Sequence, residues 1–157
     1  MEKILTKNEV RKAQEMWGEG IIEIGKAYKN KEDYRKLAED FVDNFYGFDE
    51  GIVLFKPTLA SIEQFRDTRE KAISYFIAGN PDHPEDQGFA LRPWSEIHFQ
   101  NEGIILIQEH AITMGNYFFT DYDGAQSKVE YTIGYYRSED GTLKINIHHS
   151  SIPYKSS

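Results

Sequence analysis

Apolar residues recur at three- and four-residue intervals in the first third of the chain and alternate with polar ones in its second half. Val10, Ala13, Trp17, Ile21, Ile24 and Tyr28 mark one face of a helix over residues 7–28. Gly18, Gly20 and Gly25 interrupt it. Each costs up to about 1 kcal/mol relative to alanine in a helix interior, so tertiary packing, such as close approach of another backbone, has to compensate. A second helix is predicted over 31–46, with Tyr34, Leu37, Ala38, Phe41, Val42 and Phe45 on one side, and the short polar link before it makes the pair a helical hairpin. A strand at 52–55, a turn opened by Pro57 and a third helix at 68–78, stopped by Gly79-Asn80-Pro81, follow.

Beyond a polar loop at 80–88 the spacing changes to period two. Strands are predicted at 95–100, 104–119 and 128–137 and from Leu143 onward, with turns at 101–103, 121–124 and 138–141. Helices first and an antiparallel meander afterwards is an α+β plan, with the N-terminal helices packed on one face of a curved, mostly antiparallel sheet. No repeat or linker divides the chain, and 157 residues suffice for one domain that buries roughly 70% of its unfolded surface.

The last strand carries the first candidate chemistry. Leu143, Ile145 and Ile147 share a face, and the same parity continues to His149 and Ser151. A polar group that prolongs a buried row needs a hydrogen-bond partner or water, so this row is expected to line the mouth of a cavity. A single bulge in the strand would exchange its two faces. His149 is a candidate acid–base, titrating near neutral pH, and His110 on a neighbouring strand is a second. Ser151, Tyr28 from the helical side and Tyr131 from the sheet are expected ligand contacts. Lys56 and Arg66 suit a carboxylate or phosphate, Arg66 by its bidentate fork; the alternative is a surface ion pair with Glu63 or Asp67. Glu96, His98, Glu130 and His148 fall on the opposite face of the sheet, where a polar subunit interface is expected in preference to a metal site. The loop at 85–94 reads as a solvated connection anchored by Phe89 and Trp94, or else as a lid.

Aromatic residues make up 14% of the chain, enough to build both a core and a pocket wall. The net charge of −8, with basic residues scattered, argues against a nucleic-acid partner. The absence of cysteine removes thiol nucleophiles, disulfides and thiolate zinc sites. No signal segment or membrane-spanning run is visible, so a cytoplasmic protein without a membrane partner is expected. Phosphate-binding glycine loops, Gly-x-Ser-x-Gly and His-Glu-x-x-His are absent, and no cofactor or metal is expected.

The order of elements, together with Val53-Leu-Phe-Lys-Pro-Thr58, Gly115-Asn-Tyr-Phe-Phe-Thr120, Tyr131-Thr-Ile-Gly-Tyr-Tyr-Arg137 and Ile147-His-His-Ser-Ser-Ile-Pro153, resembles the nuclear transport factor 2-like superfamily, the cystatin-like or SnoaL-like cone fold. The last two segments look like the association domain of calcium/calmodulin-dependent kinase II and its stand-alone bacterial relatives. The resemblance implies a sheet curled around the helices into a cone-shaped roll, a conical pocket, and subunits paired across the outer sheet face. It implies no particular reaction, because this fold carries isomerases, dehydratases, cyclases, transport adaptors and assembly modules alike. The expectation is therefore a homodimer that binds a small organic, anionic molecule. The alternatives are a cofactor-independent SnoaL-like isomerase, cyclase or dehydratase using His149 or His110, and a homo-oligomeric assembly module.

Overall fold

The first helix, α1 (Lys7–Lys29), begins in a capping box: the Thr6 hydroxyl accepts from the Glu9 amide at 3.1 Å while the Glu9 carboxylate accepts from the Thr6 amide at 2.9 Å. Asp33 caps α2 (Tyr34–Phe45) and Thr68 caps α3 (Arg69–Ile77) in the same manner, each accepting from a backbone N–H of the first turn. These elements belong to a computed structural model that describes residues 4–156. The interrupting glycines of α1 lie where neighbours press on it. A Cβ at Gly25 would stand 2.8 Å from the carbonyl oxygen of Ala90, in a single 3-10 turn at Phe89–Leu91, and one at Gly20 would stand 2.6 Å from the Phe41 ring. The expected approach of another backbone is thus met by the turn at Ala90.

Five strands form one sheet: β1 (Leu54–Lys56), β2 (Trp94–Ile107), β3 (His110–Asp121), β4 (Gln126–Arg137) and β5 (Leu143–Ser151), in the order β1-β5-β4-β3-β2. β1 runs parallel to β5 and every other pair is antiparallel, so the predicted α+β plan holds. The helices cover one face, where Val10, Ile21, Ala72, Phe76, Phe119 and Ile133 are all buried.

Two corrections matter for the site. Residues 101–103, expected as a turn, are a bulge within β2: Asn101 pairs with Gly115 and Gly103 with Met114, leaving Glu102 surplus. Asn101 is held inward by paired amide bonds with Gln14 at 2.8 Å, so the strand continues past it and turns only at Gln108, whose φ is +53°. The second bulge lies in β5. Gly134 pairs with Ile147 and Tyr135 with Ile145, so Asn146 is the extra residue and every later side chain changes face. Ile145 is buried, Ile147 is exposed, and His148 and Ser150 return to the interior opposite Ile133 and Tyr131.

On the outer face, one register row crosses all five strands as Ile105, Ile112, Gly134, Ile147 and Leu54, and its four apolar side chains are exposed. Glu96, His98 and Glu130 are exposed on the same face, as the alternation predicts. Among the described residues no helix is long and apolar enough to cross a membrane.

Candidate active site

Because the bulge at Asn146 turns His148 and Ser150 inward, both sit at the bottom of the cone, each 2% exposed. Both ring nitrogens of His148 are engaged: Nδ1 lies 2.9 Å from the Tyr46 hydroxyl and Nε2 lies 3.1 Å from that of Tyr117. The Tyr117 hydroxyl is also 2.5 Å from Ser150 Oγ, which is in turn 2.6 Å from Thr58 Oγ1. Trp17 Nε1 donates to the Tyr46 hydroxyl at 3.1 Å. Six residues from α1, the ends of α2 and β1, and strands β3 and β5 are therefore strung on one hydrogen-bonded line.

Its surroundings are aromatic. Phe55 stacks on the His148 ring with centroids 5.0 Å apart, Tyr46 stacks on it at 6.0 Å, and Trp17 meets it edge-on. Burial pushes the His148 imidazole down to about 3, with His149 adding to the effect, so the ring is neutral at physiological pH. Burial likewise raises the Tyr46 and Tyr117 hydroxyls well above the ordinary tyrosine value, against the opposing effect of their hydrogen bonds with Trp17 and Ser150. These groups are protonated, neutral hydrogen-bonding residues.

A cavity of about 10 Å³ opens on this line, walled by Trp17, Phe55, Phe76 and Phe89 and edged by Thr58, Tyr75, His148 and Ser150. That is room for about one water-sized sphere. Thr58, Tyr75 and Phe89 also border a groove of about 880 Å³, along which Tyr28, Arg92, Lys128 and Lys155 stand.

The other expected site residues fall in several places. His149 and Ser151 are on the outer face, where the Ser151 hydroxyl donates to Glu130 at 3.3 Å, and His148, expected there, is inside. His110 is exposed at the start of β3. Tyr28 is exposed on the groove. Tyr131 is buried and donates to Asn101 at 2.5 Å, without lining the cavity. Lys56 donates to the carbonyl oxygen of Ser150 at 3.3 Å, bringing a positive charge to the backbone of the site.

Arg66 is not the surface ion pair that the sequence offered, and it lines neither the cavity nor the groove. It is fully buried and forks onto Asp86 at 2.7 and 2.8 Å, while its remaining donors reach the carbonyl oxygens of Glu63 and Lys71. A desolvated guanidinium demands such pairing. Ser74 donates to the same carboxylate at 2.6 Å. Glu85 accepts from the amides of Ser61, Ile62 and Glu63, which hold its carboxyl down to about 2. The loop after α3 is thus clamped to the segment following β1.

Tyr46, Tyr117, Thr58, Ser150 and Tyr75 escape sequence reasoning, because a tyrosine in an apolar row reads as core. For Tyr117 the available signal was its parity with the buried Phe119 and Thr113.

Helices covering one face of the sheet, with hydroxyl and imidazole groups between them, define an α+β domain of the nuclear transport factor 2-like fold with an internal cavity. Solved structures of the same fold include a calcium/calmodulin-dependent kinase II association domain from Xanthomonas campestris, 21% identical with a TM-score of 0.61 over 94% of this chain and 88% of that one. A member of the nuclear transport factor 2-like family from Streptomyces avermitilis is 14% identical, with a TM-score of 0.56 over 94% and 96% of the two chains. Both are likenesses of fold.

Residues 8–152 match the metal-independent carbonic anhydrase family, and the chain belongs to it. A metal-independent carbonic anhydrase of Nostoc sp. (strain PCC 7120 / SAG 25.82 / UTEX 2576) is 42% identical over 154 residues, covering 96% of this chain and 75% of that protein. The crystal structure of a cyanobacterial iota-carbonic anhydrase complexed with bicarbonate is 38% identical, with a TM-score of 0.96 over 99% of this chain and 97% of that one.

Proposed function

We propose that the protein interconverts carbon dioxide and bicarbonate at the cavity beside Ser150 and His148, using hydroxyl and imidazole groups as the acting residues. The observation that carries this reading is the buried line from His148 through Tyr117 and Ser150 to Thr58, opening on a small aromatic-walled cavity. Membership of the family and the bicarbonate bound to a 38% identical protein support it.

Aromatic walls suit carbon dioxide, which is apolar, and the hydroxyls of Ser150 and Thr58 are placed to hydrogen-bond a water and then the oxygens of the product. In hydration, the water oxygen forms a bond to carbon, a C=O electron pair moves onto oxygen, and one water proton passes to solvent, giving bicarbonate. The neutral His148 orders the hydroxyls, and Lys56 contributes a favourable charge for an anion.

Stopped-flow hydration of carbon dioxide with a pH indicator, on protein dialysed against a chelator, tests the reading. Wild type should accelerate the reaction, and Ser150→Ala should lose at least tenfold in kcat/KM, about 1.4 kcal/mol of transition-state stabilisation. A wild-type rate no faster than buffer refutes the function. A full rate in Ser150→Ala removes the site.

We propose as well that a second copy packs on the outer sheet face. The exposed apolar row across five strands, flanked by Glu96, His98 and Glu130, supports this reading, as does the resemblance to a superfamily whose subunits pair there.

A further inference from the structure

We infer that Tyr46 is a positioning residue: anchored by the indole of Trp17, it sets the direction of the hydrogen-bond line through His148, which therefore ends at the cavity on a hydroxyl donor for an oxygen anion. The identity of that anion rests on the function proposed above, whereas the direction of the line rests on geometry alone.

An indole N–H can only donate, so Tyr46 accepts from Trp17 at 3.1 Å. Tyr46 has one proton of its own. Around its ring stand Phe41, Phe48, Phe55 and Phe76, none of which offers an oxygen or nitrogen acceptor, and the phenol is 1% exposed. Among the described residues, the one side-chain acceptor it meets is His148 Nδ1 at 2.9 Å. Were Nδ1 protonated, Tyr46 would receive two hydrogen bonds and its own proton would be buried without a partner, a costly arrangement. Tyr46 therefore donates to Nδ1, and the neutral imidazole carries its hydrogen on Nε2.

One proton per hydroxyl then carries the line on. Nε2–H donates to Tyr117 at 3.1 Å and Tyr117 donates to Ser150 at 2.5 Å. Of the Ser150 and Thr58 hydroxyls, 2.6 Å apart and both on the cavity, one donates to the other and the second keeps its proton for the cavity or, from Thr58, for the neighbouring Tyr75 hydroxyl, which already accepts from the Leu59 amide at 3.3 Å and then presents its own proton. In either case the line terminates on a donor. Tyr46 touches nothing in the cavity and acts entirely through His148.

The test is the tautomer of His148, read from the ring nitrogen shifts of nitrogen-15-labelled protein, in wild type and in Tyr46→Phe, which keeps the ring and loses the hydroxyl. Wild type should show a single Nε2–H form. Tyr46→Phe should lose that uniqueness, and its KM for bicarbonate in the dehydration assay should rise about tenfold, with a smaller change in kcat. Trp17→Phe, which frees Tyr46 to reverse, should loosen the tautomer similarly. An Nδ1–H form in wild type overturns the direction whatever the activity, and an unchanged tautomer and KM in Tyr46→Phe overturns the role of Tyr46. A wild type that holds Nε2–H but turns over neither carbon dioxide nor bicarbonate sinks the proposed function and leaves the direction standing.

Discussion

Folding should make His148 harder to protonate, and the consequence is measurable without knowing any substrate. Its imidazole falls from 6.5 to about 3 on burial, so below pH 6.5 the unfolded chain binds a proton that the folded chain refuses. The stability associated with the neutral ring is complete above the unfolded value and is lost as pH falls from 6.5 toward the folded value. The slope there approaches about 1.4 kcal/mol per pH unit, which amounts to about 2 kcal/mol between pH 7 and pH 5. Urea unfolding of wild type and His148→Gln at the two pH values isolates this contribution, because glutamine does not titrate and the remaining groups largely cancel in the difference. The advantage of wild type over the variant should shrink by about 2 kcal/mol on going to pH 5. An advantage that is equal at both pH values would mean that the ring is either protonated in the fold or open to water, and the description of a dry, neutral network would be wrong.

Two further outcomes follow from side chains outside the line. The Tyr135 hydroxyl is buried with no hydrogen-bond partner among the described residues, so Tyr135→Phe should be neutral or up to about 1 kcal/mol more stable in thermal or urea unfolding; a clear loss would reveal a partner. Ile112→Glu, in the middle of the exposed apolar row, should give a monomer by light scattering where wild type is a dimer; a dimeric variant would move the contact elsewhere.

The helical half was legible because its periodicity is local: most of the rows that start at Val10 and Tyr34 pack as predicted, even to the backbone pressing on Gly25, while Tyr28 and Leu37 are exposed. The sheet's fold class was legible too. The site was not, for two physical reasons. Parity in β5 fails at Asn146, whose insertion between the pairs at Tyr135 and Gly134 leaves no mark in the alternation itself, so the His-Ser pair was found one residue out of place. The partners of Arg66 and His148 lie far along the chain, Asp86 at 20 residues and Tyr46 at 102, and no spacing rule joins them. Thr58, beside Pro57, looked like part of a turn and proved to be the cavity end of the line.

The surplus residue in β5 also bears on how relatives of this chain are to be compared. Asn146 works like a reading-frame marker: upstream of it odd-numbered side chains face the core, downstream even-numbered ones do, so two neighbouring histidines of identical chemistry have different environments. A gap placed a few positions away when two such strands are aligned would match an interior histidine with an exterior one. Deleting Asn146 outright would remove the bulge and leave His148 and Ser150 opposite Ile133 and Tyr131, still facing the cavity, so the strand can change length there without exchanging the site's residues.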